Sequence, residues 1–219
     1  MKRREKCLLV IGGVLIATFV IWTISVQMID VQLIGQNGTA IGFASFNMWF
    51  HKCTGVHMSL YAITDWLGLV PIFVCIIFGA VAVFQLFKRK SILKIDYDII
   101  VLGVYYVAVI LFYLVFEMIS VNYRPVLING CIEASYPSST TLLVLCVMST
   151  LVFQVRSRVK NKSVKRIICA VVILFSLFMV AGRLVSGVHW ITDIVGATLL
   201  SAGLYNLYKS VVLKKLLGE

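Results

Sequence analysis

The residues able to do chemistry in this chain are few and gathered. His189 and Asp193 stand four apart, a spacing that on a helix stacks the two side chains and lets the carboxylate reach one ring nitrogen. A carboxylate on Nδ1–H fixes the tautomer, orients the ring and stabilises the cation that forms when Nε2 attacks an electrophile. Arg124 and Arg183 add two permanent cations whose forked donors match phosphate oxygens. Pro137 opens a long apolar run and suits a first helical turn, so the amides of Ser138, Ser139 and Thr140 are expected as free donors at a helix N-terminus. Such a terminus binds phosphate readily. Together these types suit nucleophilic chemistry at a bound anion, while a His and Asp at this spacing also serve as a purely structural pair.

The elements that must position them are membrane spans. Of the 219 residues 61% are apolar and only 13% are charged, with mean hydropathy +1.00. A soluble domain carries about 25% charged residues, so most of this surface faces lipid. With 3 Pro, 15 Gly and 6 Cys, disorder, low-complexity linkers and a disulfide-dense secreted scaffold are excluded. One all-α, polytopic membrane domain over residues 1–219 is expected. Charge-free runs between Lys6 and Asp30, Asp65 and Lys88, and Glu133 and Arg156 give three spans. Further spans are expected at 99–116, 167–185 and 188–208, making six transmembrane helices.

The net charge of +11 is explained by topology, with no nucleic-acid partner. Basic residues cluster at Lys2–Lys6, Lys88–Lys94, Arg156–Arg166 and Lys209–Lys215, leaving only Lys52, Arg124 and Arg183 elsewhere. The positive-inside rule then puts both termini in the cytoplasm and segments 28–62, 121–136 and 184–189 outside; the plasma membrane is the expected location. The first outer segment carries Phe43, Phe46, Phe50 and Cys53 as one helical stripe beside Trp49 and is expected to form an amphipathic helix, lying at the membrane surface or packed against the bundle. Asn37-Gly38 before it reads as a tight turn. The cysteines have no metal-ligand spacing; Cys53 and Cys131 both fall outside, where a disulfide is conceivable.

These residues resemble the type 2 phosphatidic acid phosphatase (PAP2) family, whose motifs read K-x6-R-P, P-S-G-H and S-R-x5-H-x3-D. Here the third appears as Gly182-Arg183, His189 and Asp193, the first supplies Arg124-Pro125, and the second supplies Pro137-Ser138. The resemblance implies a lipid phosphatase or diphosphatase working at the outer leaflet through a phosphohistidine. In it His189 is the catalytic nucleophile, Asp193 orients it, and Arg124, Arg183, Ser138 and Ser139 bind phosphate, with no metal or cofactor. Glu117 stands in place of the family's lysine, Thr140 in place of its second-motif histidine, and Gly182 in place of its serine.

The family's histidine protonates the leaving oxygen, so a chain with Thr140 is expected to favour a polyprenyl diphosphate, whose leaving group needs less protonation. The alternative is a relative that binds a lipid phosphate without hydrolysing it. Glu117 is expected to salt-bridge Arg124 or Arg183 in the empty site. His51 and His57 are expected to be non-catalytic residues of the outer segment.

Overall fold

The computed structural model describes residues 2–216, and these form eight α-helices and two short 3-10 turns, with no strand beyond three isolated bridges. They are α1 (Lys2–Met28), α2 (Ala44–Thr54), α3 (Met58–Leu67), α4 (Leu69–Arg89), α5 (Tyr97–Met118), α6 (Ser139–Arg158), α7 (Lys162–Val185) and α8 (Ile191–Leu216). The chain is an all-helical polytopic membrane protein. Five stretches are long and apolar enough to cross a bilayer: α1, α3 with α4, α5, α6 and α7. The sixth expected span is α8, 26 residues long but more polar.

The polarity of α8 follows from its place at the centre. Ala197, Leu200, Leu204, Tyr208 and Val212 all lie in the core, so this helix, like α6, packs on protein along much of its length. Small residues bring α1 against it: a side chain at Gly12 would come within 2.8 Å of Leu207, and one at Gly203 within 2.7 Å of Ile16. The outward side of α1 shows Val10, Val14 and Ile21 instead.

The 32-residue stretch Met58–Arg89 is broken after Leu67 because Pro71 has no N–H for the Leu67 carbonyl and its ring would crowd it. The break leaves Asp65 and Tyr61 on α3, separate from the span below. The expected span from Asp65 therefore begins at Leu69, after the break.

At the end of the bundle where α4 and α6 finish and α5 starts, charges tie the three together. Arg158 reaches Asp98 at 2.7 Å and Asp96 at 3.3 Å, and Arg89 reaches Asp96 at 2.7 Å. The bond from Arg89 is the main reason that the Asp96 carboxyl sits below its ordinary pKa.

At the other end, Asn37 and Gly38 take positive φ in the expected tight turn. The α2 helix forms within the expected outer segment, but the stripe divides. Phe43 precedes the helix and stacks on Trp22 at 5.2 Å, Phe46 and Trp49 are exposed, and Ala44 and Asn47 face inward. The helix is turned so that its short residues meet the bundle and its large aromatic rings face away. Cys53 and Cys131 are both free and exposed.

Candidate active site

The α6 helix begins at Ser139, later than the run of apolar residues suggests, because Ser138 acts as its N-cap and accepts from the Thr141 amide. The Ser138 amide donates to the Asp193 carbonyl at 3.2 Å, and the residue is fully buried. Ser138 thus joins α6 to α8, and its amide is not free for phosphate as expected. The amides of Ser139 and Thr140 have no backbone or side-chain acceptor among the described residues, the usual state of a first turn.

His189 precedes α8 and is 3% exposed. Its Nδ1 lies 3.2 Å from the Ser135 carbonyl, which can only accept, so Nδ1 carries the proton. Nε2 then presents a lone pair, and Arg124 Nη1 lies 3.4 Å from it. Asp193 Oδ2 is 3.5 Å from Nδ1 and accepts from the Trp190 amide at 2.9 Å. The expected His–Asp pair is present in outline. The Ser135 carbonyl is the nearer partner of Nδ1, and the carboxylate also caps the start of α8.

The turn that carries His189 needs a glycine. Gly187 has φ +70°, and a Cβ there would fall 2.0 Å from the Gly55 carbonyl oxygen. The His57 amide donates to the Ser186 carbonyl at 2.9 Å, pinning this turn to the start of α3. Trp190 Nε1 donates to the Tyr123 carbonyl at 2.7 Å and ties the same turn to the segment before α6.

Burial, together with the Arg124 and Arg183 cations, holds the His189 imidazole well below its ordinary pKa. The ring is therefore neutral at pH 7, as a nucleophile must be. The acidic limb of kcat/KM, which reports the free enzyme, is expected to fall below pH 6.5. A pH profile with that limb at or above 6.5 would contradict this.

Arg183, on the last turn of α7, is 2% exposed. Its Nη2 bonds Asp65 Oδ1 at 2.9 Å and also contacts Thr140 Oγ1. Its Nε and Nη1 are buried without acceptors. Arg124 Nε lies 3.0 Å from Glu133 Oε2 as an ion pair outside hydrogen-bond geometry. The Tyr61 ring serves both guanidinium groups, 4.9 Å from that of Arg183 and 5.9 Å from that of Arg124.

The carboxylates that hold the arginines are thus Asp65 and Glu133. Glu117, expected in that role, makes no ion pair or hydrogen bond among the described residues. Asp65 and Glu133 bordered expected spans in the sequence, but nothing in their spacing tied them to an arginine 118 residues away in the first case. Gly182 also has a packing reason: a Cβ there would lie 2.7 Å from the methyl of Thr64 on α3, so the family's serine has no room.

A cavity of about 750 Å³ opens from this cluster. Asp65, Glu117, Arg124, Glu133, Thr140 and Arg183 line its polar part; Leu69, Ile72, Val109, Ile110, Leu143 and Val147 line the rest, between α4, α5 and α6. From Ser139 to Val147 along α6 the cavity runs about 12 Å at 1.5 Å per residue. His51 packs on the Trp190 ring and His57 bonds the Thr54 carbonyl; neither lines this cavity.

No curated protein matches this chain. Its fold is similar to that of a solved structure described as the first transmembrane PAP2 type phosphatidylglycerolphosphate phosphatase from Bacillus subtilis. The TM-score is 0.65 at 18% identity, over 93% of this chain and 96% of that one. At that identity the likeness concerns the fold alone. Residues 101–216 match the PAP2 superfamily, a stretch that runs from α5 to the end of α8 and holds Arg124, Arg183, His189 and Asp193. By that match, across more than half its length, the chain belongs to the PAP2 superfamily.

Proposed function

We propose that this protein is a membrane lipid phosphatase or diphosphatase that removes phosphate from a lipid phosphate or polyprenyl diphosphate at the outer leaflet, through a phosphohistidine. The observation that carries the reading is the lone pair of His189 Nε2 beside Arg124, which with Arg183 lines the polar end of an apolar cavity. Phosphate binds between Arg124, Arg183 and the amides of Ser139 and Thr140, and the lipid chain follows the cavity between α4 and α5. Nε2 attacks phosphorus in line, and the bond to the leaving oxygen breaks. The Ser135 carbonyl and Asp193 stabilise the imidazolium-like ring through Nδ1–H. Water then attacks the phosphohistidine and releases inorganic phosphate. Arginines and the helix N-terminus balance the developing charge.

Thr140 occupies the place of the family's general acid; its hydroxyl oxygen accepts from Arg183, and an alkyl hydroxyl is too weak an acid to supply a proton near pH 7 as an imidazole does. A diphosphate is therefore the favoured substrate. The test is phosphate release by the purified protein in lipid from polyprenyl diphosphate, phosphatidate and phosphatidylglycerol phosphate. Release that is fastest from the diphosphate supports the reading. Equal or faster release from a monoester contradicts the preference, and tight binding without release from any of them identifies the non-hydrolytic relative.

Asp65 competes with phosphate for Arg183. Its side chain is 57% exposed, so the pair contributes no more than about 1 kcal/mol. Asp65→Asn is expected to tighten inhibition by inorganic phosphate by up to about 5-fold, read as the inhibition constant. Weaker inhibition would mean that Asp65 holds Arg183 in its binding pose instead.

A further inference from the structure

The proposed reaction has a second half that the residues so far described do not serve. In the family one imidazole protonates the leaving oxygen; here Thr140 replaces it. A diphosphate dispenses with that task, since a phosphate leaves without a proton, but the phosphohistidine still has to be hydrolysed. Some group must take a proton from the attacking water.

Beside the large chamber lies a second void of about 10 Å³, walled by Glu117, Ser135, Tyr136, Pro137, Ser139 and His189 among others. That volume is about the size of one water. Tyr113, Glu117, Ser139 and Leu142 border both spaces. Glu117 is therefore the carboxylate common to the phosphate chamber and to the water-sized void that touches His189. The other charged and titratable groups lining the two spaces are Tyr106 and Tyr113 on its own helix, Asp65 from α3, Cys75 from α4, Arg124, Glu133 and Tyr136 from the segment before α6, Arg183 from α7, and His189. Asp65 and Glu133 are each bound to an arginine. Glu117, exposed on the last turn of α5, has no such partner and keeps its oxygens free.

We propose that Glu117 is the general base that hydrolyses the phosphohistidine, accepting a proton from a water held between its carboxylate and the His189 site. Resting on the phosphatase reading, the step balances simply. The water oxygen forms the new bond to phosphorus, the P–Nε2 bond breaks with its electron pair returning to Nε2, and the water's proton passes to Glu117. Phosphate leaves, Glu117 loses the proton to solvent, and His189 is again neutral with Nδ1 protonated. The residue that reverses the charge of the family's lysine thereby supplies the proton acceptor missing at position 140.

The test is rapid-quench kinetics of the full chain in lipid nanodiscs with farnesyl diphosphate labelled on its terminal phosphate. Glu117→Gln is expected to release one equivalent of farnesyl phosphate at the wild-type rate. Steady-state phosphate release should then fall about 10²- to 10⁴-fold, with acid-labile label accumulating on His189. Glu117→Asp should recover part of the turnover. Wild-type turnover in Glu117→Gln, or a first step slowed as much as the second with no trapped label, overturns the role of Glu117 while leaving the phosphatase reading intact. A wild-type chain that forms no phosphohistidine and releases no phosphate from this substrate, phosphatidate or phosphatidylglycerol phosphate overturns both.

Discussion

His189→Ala is expected to lower phosphate release by about 10⁶-fold, the scale seen when a covalent nucleophile is deleted. No other imidazole lies in the cavity with the arginines: His51 lies against Trp190 and His57 bonds Thr54. The loss should be chemical and not structural. The α8 N-terminus is capped by Asp193 through the Trp190 amide, and the turn is held by Gly187 and Trp190, none of which needs the imidazole. Phosphate release and thermal unfolding measured on the same detergent-solubilised sample separate the two. An alanine variant that still turns over within about tenfold of wild type would remove His189 from the reaction.

The second large effect is expected at Arg183, where the Ala variant should lose about 10²- to 10³-fold in kcat/KM, the cost of removing one donor to a developing oxyanion. Its Nε and Nη1 are buried and unpartnered, an expensive condition for a guanidinium that evolved only to hold helices together. Those donors are free to bind the oxygens of a phosphoryl group. Stability should therefore change far less than activity, because the penalty of an unsatisfied buried cation disappears with the side chain and offsets its lost packing on Tyr61. Arg183→Lys should recover only part of the loss, since an ammonium cannot present a fork. Parallel falls in melting temperature and kcat/KM would assign Arg183 a structural role instead.

Much of the bundle is legible in the sequence because lipid imposes one strict requirement. Each span must satisfy its backbone internally and show apolar side chains outward, so hydropathy and charge clusters mark α1, α4, α5, α6 and α7 directly. The α8 helix is marked less clearly, since its polar residues are sheltered by neighbours that hydropathy cannot see. The break at Gly68 is local chemistry of Pro71 and could have been read; its consequence, Asp65 delivered to Arg183, could not.

The types and spacing of Arg124, Arg183, His189 and Asp193, and the superfamily they indicate, follow from the chain alone, because those four are set by short motifs at the ends of successive spans. Tertiary structure decided the partners. The carbonyl of Ser135 on Nδ1, the amide of Ser138 spent on Asp193, and the carboxylates of Asp65 and Glu133 on the two arginines all depend on where distant segments meet. A hydrogen bond across tens of residues leaves no period in the sequence, and each donor has many possible acceptors until packing removes all but one.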